Sequence, residues 1–167
     1  MKKFELVTDM SISWLGRTLF RIRALVDFTT KSGETIHAGD LGGYVEKEEN
    51  LDHSGDAWVY GDAWVYGNAK VYGNAKVYGD AKVYGNAEVY GVNHVLTVGP
   101  IGSRNATTTF FRDKNGNITV VCGCFLGNIE DFLKKVEETH GDNKHAKAYQ
   151  TTAELAKIQI DLTKEEV

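Results

Sequence analysis

Between Gly55 and Tyr90 the small, apolar and polar positions repeat with a period of six: GDAWVY, GDAWVY, GNAKVY, GNAKVY, GDAKVY, GNAEVY. Six residues are too few for a pair of helices but suit one short strand and one turn. Within each copy, Ala57 and Val59 and their equivalents alternate with Trp58 and Tyr60 and theirs. This period of two marks a strand with one buried face. Gly and Asn or Asp then give the backbone the freedom to turn a corner. The pattern predicts a Val/Ala interior. It points the large residues outward: Tyr60, Tyr66, Tyr72, Tyr78, Tyr84 and Tyr90, with Trp58 and Trp64 beside the first of them.

The pattern differs on either side of the repeat. Phe4–Val7 predicts a strand, and Ser11–Trp14, a Leu15-Gly16 turn and Arg17–Leu25 predict a hairpin. Strict alternation puts Phe20, Ile22 and Ala24 on one face and Arg17, Leu19, Arg21 and Arg23 on the other. Residues 27–36 are polar and turn-like. Residues 37–54 read as an irregular first coil that caps the repeat, with Leu41, Val45 and Leu51 inward. After Gly91 the period breaks, and Pro100, the only proline, marks a turn. Thr107–Arg112 and Ile118–Gly123 predict two strands around Asn115-Gly116. Ile129, Phe132, Leu133 and Val136 fall at helical spacing behind Asn128 as a cap. His140-Gly141-Asp142-Asn143 ends that helix. A second helix, from about Lys144 to Ile160, is expected to bury Ala148, Ala153, Leu155 and Ile158, and the tail from Asp161 to Val167 is expected to fray. The chain thus divides into an N-terminal β segment (1–36), the repeat (37–96) and an α/β appendage (97–167).

With Val59 at position i and Ala63 at i+4, and likewise down to Val83 and Ala87, the repeat resembles the hexapeptide-repeat superfamily. That resemblance implies a mainly β fold built on a short left-handed parallel β-helix, here with an N-terminal β-hairpin segment and a C-terminal ββαα appendage. It implies three hexads per triangular coil, so that Val59 stacks on Val77, Val65 on Val83 and Val71 on Val89. The left-handed crossover comes from the family, since chain sterics alone favour the opposite hand. The outward aromatics would form a two-rung ladder on each face. Patches of this size mark interfaces, and the family habit is a homotrimer, so these eight residues are the expected contact between copies.

Composition narrows the class of partner. The chain has 167 residues, 42% hydrophobic and 25% charged, which is ordinary for a soluble protein. A net charge of −4 argues against general nucleic-acid binding. No apolar run is long enough for a membrane span and no signal peptide is evident, so a cytoplasmic location is expected. Cys122 and Cys124 lie two apart without a second pair, which is too few for zinc. They are expected to be small buried residues, and no cofactor or metal is expected.

Three stretches carry candidate ligand chemistry. Arg21 and Arg23 lie on the arginine-bearing face of the hairpin, and arginine offers planar forks to phosphate or carboxylate. Gly99–Asn105 places Ser103, Arg104 and Asn105 in a glycine-containing turn suited to an anion, with Thr107 adding a hydroxyl. His140, Asn143 and Lys144 cluster at the helix break. No histidine lies within the six hexads, although His37, His53 and His94 flank them. Acyltransferases of the superfamily that use a histidine base place it within or beside the coils, and the related gamma-class carbonic anhydrases need three histidines on a metal.

Gly16–Leu25, followed by Gly39–Val45 and then the hexads, resembles hexapeptide-repeat proteins of phages and prophages. Small phage oligomers with pockets between subunits include proteins that capture nucleotide immune signals. Together these features set the expectation of a non-catalytic homotrimer that sequesters a small anionic, nucleotide-like ligand where subunits meet. The rivals are a coenzyme A-dependent acyltransferase with His53 or His94 as base, and a structural assembly module.

Overall fold

The computed structural model describes residues 1–163; the end of the tail, residues 164–167, lies outside the described residues. The chain is mainly β with a C-terminal helix pair, and it forms two compact units, Met1–Val92 and Asn93–Val167.

The first unit opens with β1 (Phe4–Trp14) and β2 (Arg17–Ala24), joined as an antiparallel hairpin. Leu15 and Gly16 both take positive φ, +46° and +77°, as a tight hairpin turn demands. The register is not uniform. Val7 pairs with Arg21, yet the next pair is Ser11 with Phe20, so Thr8, Asp9 and Met10 bulge out. A bulge re-aims the side chains on either side of it. Leu19, expected on the arginine side, is therefore fully buried together with Ile22 and Ala24, while Phe20 is only half-buried. A small hairpin follows, β3 (Phe28–Thr29) with β4 (Thr35–Ile36).

β5 (Leu41–Val45) pairs antiparallel with β2 and parallel with the repeat, so β2 covers what would be the exposed edge of β5. Leu41, expected inward, is half-exposed because it is spent on the pairing with Arg23. Gly42 and Gly43 take the buried positions, where a Cβ would lie 2.6 Å from the carbonyl oxygens of Val59 and Ala63 respectively. Only glycine fits so close a backbone approach.

Each hexad supplies one two-residue strand: β6 (Trp58–Val59), β7 (Trp64–Val65), β8 (Lys70–Val71), β9 (Lys76–Val77), β10 (Lys82–Val83) and β11 (Glu88–Val89). They pair in parallel as β6 with β9, β7 with β10 and β8 with β11. Val59 stands against Val77, Val65 against Val83 and Val71 against Val89, the 18-residue step that the family resemblance implies. These valines and the interleaved alanines are at most 2% exposed. On the N-terminal side of the hexads the step is 20, Val45 to Val65 and Leu51 to Val71. A 3-10 turn at Glu48–Asn50 occupies this corner. The buried Asn50 fastens it: its amide donates to Ala69 O (2.9 Å) and Gly67 O (3.2 Å), and its Oδ1 accepts from Lys47 N (3.0 Å).

The tyrosines meet in pairs, Tyr66 stacked on Tyr84 and Tyr72 on Tyr90 with ring centroids 4.6 and 5.2 Å apart, and Tyr60 tilted against Tyr78 at 5.4 Å. The N-terminal strands fold back over part of this surface. Phe4 and Phe28 meet Trp58 edge-on and leave it 1% exposed, so Trp58 has no ring face to offer a second copy. Trp14 covers Trp64 at 5.5 Å, with the Lys82 ammonium 4.6 Å and 4.3 Å from the two rings. Tyr66 is buried, and Tyr78 is the most open of the ladder at 52%.

The second unit is an antiparallel sheet in the order β12 (Val95–Ile101), β13 (Ala106–Arg112), β14 (Ile118–Cys122), β15 (Phe125–Asn128), with α1 (Ile129–His140) and α2 (Lys144–Gln159). Four strands stand where the pattern predicts two. Gly99 and Pro100, joined by a cis peptide, interrupt the alternation of β12, and β15 is only four residues long. Asn128 caps α1 by accepting from Asp131 N (2.7 Å). α2 turns Ala146, Tyr149, Ala153 and Ala156 inward and leaves Leu155 and Ile158 45% and 82% exposed, the reverse of the expectation for those two. Small alanines permit close helix approach, and the bulky pair falls on the opposite face of the helix. Asp161, expected to fray, donates its N–H to Asn93 O at 3.0 Å.

Candidate functional site

Within the second unit, the turn between β12 and β13, the turn between β14 and β15, the C-terminal half of α1 and one face of α2 enclose a cleft of about 200 Å³. Its lining includes Ser103, Arg104, Lys135, Thr139, His140 and Tyr149 around an apolar floor of Phe125, Phe132 and Val136. Two of the three sequence stretches thus meet here: Ser103 and Arg104 from the glycine turn, and His140 from the helix break.

Local geometry sets each position. Gly102 and Asn105 hold positive φ, and Asn105 N donates to Gly102 O (3.2 Å), so the intervening Ser103 and Arg104 stand out on a tight loop. His140 ends α1 and stacks on Tyr149, with centroids 5.9 Å apart and planes at 28°. Tyr149 meets Phe132 edge-on at 5.6 Å. A Cβ at Gly102 would overlap the Tyr149 hydroxyl, so glycine is needed there for space as well as for φ.

The cleft contains no carboxylate, although the chain as a whole carries −4. Among the described residues, no ion pair engages Arg104 or Lys135. Arg104 and Lys135, with unspent donors, therefore face an apolar, partly enclosed volume. Burial, and then the neighbouring Cys122 thiol, push the Tyr149 hydroxyl up to about 12, with the Arg104 guanidinium pulling the other way. Tyr149 stays protonated at neutral pH. Thr108 Oγ1 donates to Cys122 Sγ (3.4 Å), whose thiol lies 3.8 Å from Tyr149 Oη. Cys122 is half-buried, while Cys124, expected to be buried, is exposed at the tip of the β14–β15 turn. Among the described residues, no group of three or more His, Cys, Asp or Glu could hold a metal.

The remaining sequence candidates are placed elsewhere. Arg21 donates to Gly42 O (2.9 Å) and Asp62 Oδ1 (3.0 Å) and lies over the Tyr44 ring (4.5 Å). Arg23 is paired with Glu5. Both guanidiniums have partners within the chain, and neither lines the cleft. Asn143 caps α2, its Oδ1 accepting from His145 N (2.9 Å) and Ala146 N (3.0 Å), and it does not line the cleft. Asn105, Thr107 and Lys144 do not line the cleft. Sequence reasoning missed Lys135, Thr139 and Tyr149. Lys135 and Thr139 are one turn apart on α1, directly beside the apolar positions Phe132 and Val136, a signal visible only once a partner for that helix edge is known.

The first unit carries a wider groove of about 560 Å³ lined by Glu48, Glu49, Asp52, His53, Lys70, Tyr72 and Glu88. Its carboxylates disfavour an anion. His53 stacks on Phe4 at 4.3 Å, and its Nδ1 accepts the Lys3 backbone N–H at 3.1 Å. The neutral ring then bears its proton on Nε2 and presents no free lone pair for general-base work. His94, the other candidate base, is 4% exposed.

The sequence matches no family model and no characterised protein. No helix among the described residues is long and apolar enough to cross a membrane.

Proposed function

We propose that the protein is a non-catalytic binding protein for a small anionic organic molecule, held in the cleft of the second unit. The observation that carries this reading is the convergence of Arg104, Lys135 and His140 on one apolar-floored cleft without a carboxylate. Arg104 supplies a planar fork and Lys135 a point charge, each a recognised partner for phosphate or carboxylate. Ser103, Thr139 and the protonated Tyr149 add hydroxyl donors. Nucleotide-like compounds are the ligand class implied by the likeness to phage hexapeptide-repeat proteins.

The reading includes a left-handed coil for the hexads and association of copies through the tyrosine ladders. The parallel pairing at an 18-residue step supports the coil, and the exposure of Tyr78 supports the association. Titration calorimetry with inorganic phosphate, phenyl phosphate and a nucleoside monophosphate tests the binding. At least one should bind once per chain, weaken on Arg104→Ala and be recovered chemically unchanged. Binding indifferent to Arg104, or recovery of an altered ligand, refutes the proposal.

A further inference from the structure

We propose that the cleft selects an anion carrying a single apolar ring, of the aryl phosphate or aryl carboxylate class, over a nucleotide. This rests on the reading of the cleft as an anion site and narrows it. Size is the first argument. The cleft measures about 200 Å³. An apolar cavity of roughly 150 Å³ accepts benzene, whereas pockets for larger ligands begin near ~300 Å³. One ring fills the inner space and its acidic group reaches the mouth, whereas a base with its sugar and phosphate would extend well beyond it.

The chemistry of the walls is the second argument. Phe132 is centred 5.6 Å from both Phe125 and Tyr149, so three rings surround the floor together with Val136. Recognition of a nucleobase needs donors and acceptors matched to its edge. The lining has no Asn, Gln, Asp or Glu; it offers the hydroxyls of Ser103, Thr139 and Tyr149, the last accepting from the Cys122 thiol, but no side-chain amide or carboxylate to match the edge of a base. A base buried here leaves polar edge atoms unpaired, whereas a hydrocarbon ring leaves none. The cations Arg104 and Lys135 are both exposed, so the acidic group lies at the mouth and the ring inward.

The test is an NMR titration of the uniformly 15N-labelled full chain with phenyl phosphate, benzoate, inorganic phosphate and adenosine monophosphate, following the amides of Lys135 and Thr139. Phenyl phosphate should bind about tenfold or more tighter than inorganic phosphate and adenosine monophosphate, with benzoate also ahead of the nucleotide. Arg104→Gln should weaken phenyl phosphate by about tenfold or more. Thr139→Phe, which fills the mouth from an exposed position, should block it with an unchanged melting temperature. Adenosine monophosphate binding as tightly as phenyl phosphate, or more so, overturns the ring-size selection and leaves the anion site standing. Inorganic phosphate matching phenyl phosphate overturns the apolar part of the site. If none of the four perturbs these amides, both the selection and the anion reading fail.

Discussion

A Cβ at residue 102 would lie 2.5 Å from Cζ of Tyr149, so Gly102 and Tyr149 form a matched pair between the β12–β13 turn and α2. Gly102 also has φ +76°. Gly102→Ala should therefore cost about 1 kcal/mol from the backbone alone and more from the displaced ring, and it should weaken anion binding because Tyr149 is a wall of the cleft. Gly116→Ala is the control. Its φ is +77°, but its Cβ would meet nothing closer than 3.8 Å. It should show the backbone loss without the binding loss, as read by thermal melts and titrations of both variants.

Two arginines chosen from the same kind of sequence signal should behave in opposite ways. Arg21→Ala removes hydrogen bonds to Gly42 O and Asp62 and the contact with Tyr44. It should destabilise by about 1–2 kcal/mol and leave anion affinity intact. Arg104→Ala should weaken the anion and leave denaturant unfolding within about 0.5 kcal/mol of wild type. Urea unfolding and calorimetry on the same two proteins separate these outcomes.

Stability should rise with pH just above neutrality. Burial holds the Lys3 ammonium down to about 8, against the pull of Asp52 and Asp56. Its folded value lies below its ordinary value of 10.5, so between these limits the unfolded chain binds more protons and raising the pH favours the fold. Lys82, lowered by burial against the pull of Asp80, adds to the same slope. Above pH 10 the sign reverses, because burial above all raises the Tyr60 and Tyr66 hydroxyls above their ordinary value of 10.0 and the unfolded chain ionises first. Denaturant midpoints measured from pH 7 upward should peak below 10, and Lys3→Met should flatten the rise.

The aromatic surface makes a further prediction about self-association. Tyr78→Glu changes a side chain that is 52% exposed. It should shift any oligomer toward monomer in sedimentation while the melt is preserved. Trp58→Ala should instead destabilise the fold by about 3–5 kcal/mol, the range for truncating a fully buried large aromatic. An oligomer indifferent to Tyr78→Glu places the contact elsewhere.

The repeat was the most legible part of the chain. An exact hexad fixes which residues face inward, and Val59, Val65 and Val71 meet the partners that the family resemblance assigns at an 18-residue step. What surrounds the hexads was harder to read. The fate of Leu19 depends on the bulge at Thr8–Met10, which has no local sequence signature, and that of Trp58 depends on Phe4 and Phe28 folding back over it. The candidate site was half-visible. Ser103, Arg104 and His140 stood out as chemistry, but Lys135 and Tyr149 read as ordinary helix positions until the sheet brought the turns together. Conversely, Arg21, Arg23 and the Asn143 Oδ1 have internal partners that the sequence alone does not show.

Native mass spectrometry of the full chain, purified gently from the cells that produce it, tests the central claim most directly. The account predicts one small acidic molecule per chain, recovered unaltered on denaturation and lost from the Arg104→Ala/Lys135→Ala protein. A wild-type protein that carries no such molecule and takes up no added aryl or nucleotide phosphate would contradict it, as would a bound molecule retained by the double variant.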